Sequence, residues 1–238
     1  MMEKIKVKNR DQLIKLIEST IKASGNKVEL NWIDTSEITD LSYLFSYSDF
    51  NGNISEWDTS KVTNMSCMFK DSRQFNGDIG SWNTGNVRDM SCMFECSEFN
   101  QDIGHWDTGR VKNMKYMFYG SHFDRPIGGW NTANVITMEA MFAHSEFNGD
   151  ISRWNTSRLK YIRQMFSDSK FRGDVSRWCV KKLIKTKMEC IFSDEYDVNL
   201  YTWVSQRPDI EWNNYIKPEL LHYFGEKWIE YECRKSKN

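Results

Sequence analysis

Four carboxylates recur at one place in a repeating sequence: Asp78, Asp102, Asp150 and Asp174. Such a column could hold divalent cations. Calcium-binding repeats, however, use a shorter, glycine-richer nonapeptide, and Asn53 and Pro126 interrupt this column. The Asp residues therefore read as turn caps, because Asx side chains bond backbone groups two residues on. His105, His122, His144 and His222 fall at different places in the pattern, apart from the near-equivalent region of His122 and His144, and no acid and Ser accompany them in an active-site arrangement. The six Cys (67, 92, 96, 179, 190, 233) contain no CxxC pair. They read as reduced thiols, with Cys67 and Cys92 stacked on neighbouring repeats, rather than as disulfides or zinc ligands. No P-loop, GxGxxG or HExxH occurs. No catalytic, cofactor or metal site is expected, and the chain reads as a non-enzyme.

Charge is the remaining chemistry. The net charge is −1, which excludes a polyanion or a wholly basic nucleic-acid protein. The distribution is uneven. Residues 31–150 hold 8 basic and 17 acidic side chains, whereas residues 151–190 hold 11 basic and 3 acidic. Arg153, Arg158, Arg163, Arg172, Arg177, Lys181 and Lys182 belong to the basic block. It could serve as a solvated face, as a site for an anionic partner such as nucleic acid or acidic polysaccharide, or as one end of a head-to-tail contact between copies.

These residues are positioned by a repeat of about 24 residues. Trp stands at 32, 57, 82, 106, 130, 154 and 178. Met-Phe stands at 68–69, 93–94, 117–118, 141–142 and 165–166, flanked by Leu44-Phe45 and Ile191-Phe192, and a lone Phe follows at 50, 75, 99, 123, 147 and 171. Ile or Val stands three residues before Trp at 54, 79, 103, 127, 151 and 175, and Asn/Asp-Thr stands at 34–35, 58–59, 83–84, 107–108, 131–132 and 155–156. The spacing predicts a short extended segment, then a single tight helical turn ended by Ser. Stacked repeats share one core and touch only their neighbours, so we expect one continuous stack over residues 31–192. Seven coils at strand spacing would make a rod about 30–35 Å long. Trp and Phe would form offset ladders, with Met filling the gaps.

The flanks differ. In residues 1–30, KIKVK could be a strand, and Asn9 with Gln12 resembles a capping box. A helical apolar face of Leu13, Ile14, Leu16, Ile17 and Ile21 follows, and Gly25 is a plausible stop. This helix would cap the stack. Residues 193–238 are expected to be a second helical cap, with Pro218 in a first turn and an apolar stripe of Leu220, Leu221, Phe224, Trp228 and Ile229. No apolar run approaches 18 residues, so no membrane insertion is expected. The N-terminus lacks an apolar core of signal-peptide length, which makes an intracellular location the default expectation.

The motifs FNGDISRWNTS, VTNMSCMF and IDTSEITDLSYLF resemble the repeats of BspA-like leucine-rich-repeat surface proteins, over about residues 29–192. The resemblance implies a leucine-rich-repeat-like right-handed β-solenoid with short strands and helical turns, capped by helices at both ends. It also implies a non-enzymatic adhesion or protein–protein interaction role, at a cell surface or in a virus particle, where self-assembly is a further possibility. The position before each Trp is free of the pattern: Glu56, Ser81, His105, Gly129, Arg153 and Arg177. Together with the basic block, Glu56, His105, Arg153 and Arg177 are the candidate partner-binding residues.

Overall fold

Successive repeats are joined by backbone hydrogen bonds from every second residue. Met65, Cys67, Phe69 and Asp71 donate N–H to the carbonyls of Asp89, Ser91, Met93 and Glu95 at 2.7–2.9 Å. The intervening Met68, Lys70 and Ser72 bond back to carbonyls three residues earlier, at 3.1–3.3 Å. Alternation of this kind satisfies every amide of a buried segment. The same scheme runs from Leu41 to Phe166. The computed structural model describes residues 4–185, 189–193, 196 and 201–212.

The predicted helical turn takes a different form. Each repeat makes three overlapping i→i+3 turns, and two residues adopt positive φ: Tyr43 and Tyr47, Cys67 and Asp71, Cys92 and Cys96, Tyr116 and Gly120, Ala140 and His144, Gln164 and Asp168. A left-handed residue at the third position defines a type II turn. It costs a non-glycine residue roughly 1–2 kcal/mol, and here it accompanies amides aimed at the next repeat. The expected short strand is also reduced. Each repeat contributes one parallel bridge residue, in the series Asp40, Asn64, Asp89, Asn113, Thr137 and Tyr161. Among the described residues the strands are β1 (Ile5–Lys6) and β2 (Ile33–Asp34), paired in parallel with Ile5 opposite Ile33.

The predicted columns are the core. The Met-Phe, lone Phe, Ile/Val and Trp side chains from Phe45 to Trp178 are almost all less than 5% exposed and form one cluster. Within a repeat the two Phe rings stack at 4.1–4.3 Å, as in Phe69–Phe75 and Phe118–Phe123. Between repeats the Met-Phe rings lie 5.7 Å apart (Phe69–Phe94) and the indoles 6.4 Å apart (Trp57–Trp82). Those separations exceed the roughly 4.8 Å strand spacing, so the rings are slid sideways into the favoured offset arrangement.

Two register details depart from the sequence pattern. Trp32 stands outside the Trp column: Ile33 is the residue whose amide bonds Leu30 O, as Trp57 bonds Ile54 O, and Ile33 is buried while Trp32 is half-buried. The indole of Trp32 bonds locally to Glu29 O at 2.7 Å. At the other end the columns pass residue 192. Trp203, in helix α2 (Tyr201–Gln206), stacks on Trp178 at 6.4 Å, and Tyr196 lies against Phe171 at 5.8 Å in the lone-Phe position.

Helix α1 (Arg10–Ser24) closes the N-terminal side. Asn9 Oδ1 caps it by accepting from Gln12 N at 3.0 Å. The reciprocal bond runs to Lys8 N rather than to the cap residue's own amide. Leu13 and Ile17 are buried in the repeat core. Met188 and the apolar stripe Leu220–Ile229, with Pro218, lie outside the described residues. Among the described residues, no helix is long and apolar enough to cross a membrane.

Candidate interaction surface

Two tight turns flank each Trp and form a corner. One joins Ile to Trp, with Trp130 N on Ile127 O at 3.1 Å. The other joins Thr to Val, with Val135 N on Thr132 O at 3.0 Å. The corner is tied in both directions along the stack. Each indole N–H donates to the Ile-column carbonyl of the preceding repeat: Trp82 to Ile54 O (3.1 Å), Trp130 to Ile103 O (3.1 Å), Trp203 to Val175 O (3.0 Å). Each Thr hydroxyl donates to the following repeat: Thr59 to Asn83 O (3.0 Å), Thr108 to Asn131 O (3.0 Å), Thr156 to Cys179 O (3.1 Å).

The residue before Trp is left pointing to water. Glu56, Ser81, His105, Gly129, Arg153 and Arg177 are all exposed, and Thr202 continues the row. Glu56 pairs with Lys4 at 3.4 Å across an exposed surface. Arg153 lies near Asp150, whose carboxyl is held below its usual value first by the amide and hydroxyl of Ser152 and then by the Arg153 charge.

The other predicted residues separate into two groups. Arg158, Lys181 and Lys182 are exposed and sit three or four positions after Trp154 and Trp178, on the same corner as Arg153 and Arg177. Arg158 Nη1 bonds Asn134 Oδ1 at 2.6 Å, as Arg110 bonds Asn86 at 2.5 Å two repeats earlier. Arg163 and Arg172 stand elsewhere in the repeat. Arg163 pairs with Glu189 at 3.1 Å on the turn segment. Arg172 directs its guanidinium to Ser169 O and Phe171 O, at 3.1 and 2.8 Å. The structure thus brings five of the predicted cations together, with Glu56 and His105 in the same row but repeats away.

The Asp column is turn chemistry. Asp78, Asp102, Asp150 and Asp174 each accept the amide two residues on, at 2.7–3.0 Å. Asn53, Asn64 and Asn155 do the same for Ser55, Ser66 and Ser157. Among the described residues, no group of three or more His, Cys, Asp or Glu could hold a metal ion.

Two features were not anticipated. The Asn after the lone Phe forms a ladder: Asn51, Asn76, Asn100 and Asp124 each accept the amide of the equivalent residue one repeat later, at 2.8–3.2 Å, and Asn148 accepts from Arg172 N at 2.7 Å. The recurrence of Phe-Asn was the available signal. The second is an aromatic turn face. Tyr43 and Tyr47 are 58% and 72% exposed, and Tyr119 touches Tyr116 and His144 at 5.3 and 5.2 Å. Charges there are paired internally: Lys70 with Glu95 at 2.9 Å, Lys115 with Glu139 at 3.0 Å. Cys67, Cys92 and Cys96 are free thiols of this segment. Burial pushes the Cys92 thiol far above its usual value, so it stays protonated.

A core made of identical residues stacked one repeat upon the next defines a repeat protein. The chain belongs to the family described as Mycoplasma protein of unknown function, DUF285, which it matches over residues 15–122 and again over residues 95–203. No curated protein and no solved structure matches the chain.

Proposed function

We propose that this chain is a non-enzymatic interaction scaffold: a right-handed solenoid of the BspA-like, leucine-rich-repeat kind that presents a repeat-built surface to a protein partner. In this reading residues 1–30 cap the stack and the C-terminal segment closes it. An adhesive role at a cell surface or in a virus particle is the setting that such repeats suggest. The observation that carries the proposal is the contrast at the Trp corner. The Trp and Thr side chains there are bonded along the stack, whereas the residue before Trp is exposed in all six repeats and carries a different chemistry nearly every time.

The test is cross-linking in the source cells, comparing the parent chain with one carrying Ala at residues 56, 81, 105, 153 and 177. We expect a defined partner to be cross-linked to the parent and lost from the variant, with the melting temperature of the variant unchanged. Equal cross-linking by both chains would remove this row as the contact surface. A second reading, capture of a polyanion, is favoured by the five cations on the last two corners.

A further inference from the structure

We propose that the Trp corner of the last two repeats binds a glycan chain bearing sulfate or carboxylate groups. This rests on the reading of the chain as a binding scaffold and names one ligand class for it.

Three positions define the outer corner: the residue before Trp and those three and four after it. In the repeats of Trp154 and Trp178 these six positions hold Arg153, Arg158, Arg177, Lys181 and Lys182, with Ser157 as the sixth. In the four preceding repeats the same twelve positions hold two cations, Lys61 and Arg110, and one anion, Glu56. All five late cations are exposed, and none forms an ion pair among the described residues. This differs from the turn segment, where Lys70, Lys115 and Arg163 all have carboxylate partners. The cations are also held in place. Trp154 and Trp178 are anchored by indole bonds of 3.1 Å, so Arg153 stands beside Arg177, and Arg158 beside Lys182, at about the 4.8 Å stacking interval. Three of the five are Arg, and the guanidinium fork matches planar or tetrahedral oxyanions.

The composition of the corner selects among polyanions. A folded protein partner on these two repeats would want a cluster of aromatic or apolar anchors; Trp154 and Trp178 are buried, and Ile184, two residues past Lys182, is a single exposed apolar side chain. Single-stranded nucleic acid would want stacking platforms, and the exposed Tyr43 and Tyr47 belong to the first repeat. Duplex DNA offers a backbone of acceptors only. The corner also carries exposed Asp150 and Asp174, three residues before each Arg, with exposed Asn155 and Ser157 between the rows. Carboxylates repel phosphate, sulfate and carboxylate alike, but they accept hydrogen bonds from sugar hydroxyls. Anion-bearing sugars supply both kinds of group, with several hydroxyls per charge where a nucleic-acid backbone has at most one.

The test is direct titration of the full chain with heparin oligosaccharides and chondroitin sulfate. Dextran, a short DNA duplex and polyglutamate are the comparators at equal ionic strength. We expect a sulfated glycan to bind more tightly than DNA or polyglutamate, and dextran not to bind. Arg153→Glu with Arg177→Glu should weaken glycan binding by ~10-fold or more and lower the slope of log K against log salt by about 2. Lys181→Glu with Lys182→Glu should act in the same direction, while Arg110→Glu should not. The inference is overturned if no glycan binds, if DNA or polyglutamate binds as well as the glycan, or if both double variants bind like the parent. A chain that loses its cross-linked partner with the row variant yet binds no glycan would lose this inference and keep the scaffold reading.

Discussion

The indole column and the row of residues immediately before it run side by side along the stack, one residue apart in sequence. In the column, Trp57, Trp82, Trp106, Trp130, Trp154 and Trp178 are at most 4% exposed and donate to the neighbouring repeat at 3.0–3.2 Å. In the row, the residue runs from Glu56 through Gly129 to Arg177 with no common chemistry. The difference is a difference in hydrogen-bond obligation. An indole N–H buried in a stack must meet a carbonyl, so that position tolerates one residue type. A side chain facing water owes nothing to the fold and is left open to selection by a partner.

The largest way to break the contrast is to empty the column. Phe118→Ala removes a ring in contact with Phe94, Phe123, Trp130 and Phe142. We expect a loss of about 3–5 kcal/mol in urea unfolding. Trp130→Phe keeps an aromatic ring but leaves Ile103 O without its donor, and should cost about 1–3 kcal/mol in the same measurement. Gly120 is the one glycine in a left-handed slot otherwise filled by Tyr47, Asp71, Cys96, His144 and Asp168. Gly120→Ala should lower stability by roughly 1 kcal/mol, seen as a small drop in melting temperature. Gly129→Arg, one residue from Trp130, should change stability by no more than ~0.5 kcal/mol. A loss as large as that of Trp130→Phe would show that the row is structural after all.

The smallest effect sharpens the same point through pH. The amide and hydroxyl of Ser60 hold the Asp58 carboxyl below its usual value. Its contribution is complete above the unfolded-state pKa and is lost as pH falls through the lower folded-state value. Asn83 and Asn131 make the equivalent turn without a charge, bonding Gly85 and Ala133. Asp58→Asn should therefore be near neutral at pH 7 and should flatten the acid limb of a melting-temperature titration. An unchanged acid limb would assign that sensitivity to other carboxylates.

The buried columns were legible because apolar packing imposes a residue type at fixed intervals, and the interval is visible in sequence. Helix α1 was legible for the same reason, through Leu13, Ile17 and Asn9. The register at Trp32 was not, because an indole and the neighbouring Ile33 satisfy one apolar slot equally well in a pattern. Trp203 lay one period beyond Trp178, yet its repeat lacks Asn-Thr and Met-Phe, so the interval alone did not carry it. The turn geometry was hidden because positive φ at Tyr43, Cys92 or Ala140 has no residue signature. At the candidate site, sequence grouped the cations as one block and could not separate them. Arg163 and Arg172 are tied to Glu189 and to backbone carbonyls by contacts that only three-dimensional neighbours reveal.

The inter-repeat bonds have a mechanical consequence. Met65 and Asp89, or Trp130 and Ile103, are joined across 24 and 27 residues, and among the described residues no backbone rung reaches further than its neighbours. Tension applied at the two ends would act on one rung at a time, since an outer repeat can peel away while the inner ones keep their bonds. Each released repeat of about 24 residues could extend to about 80 Å of chain, in place of the roughly 5 Å it occupies when stacked. Under load the stacked repeats would lengthen in steps, one rung at a time.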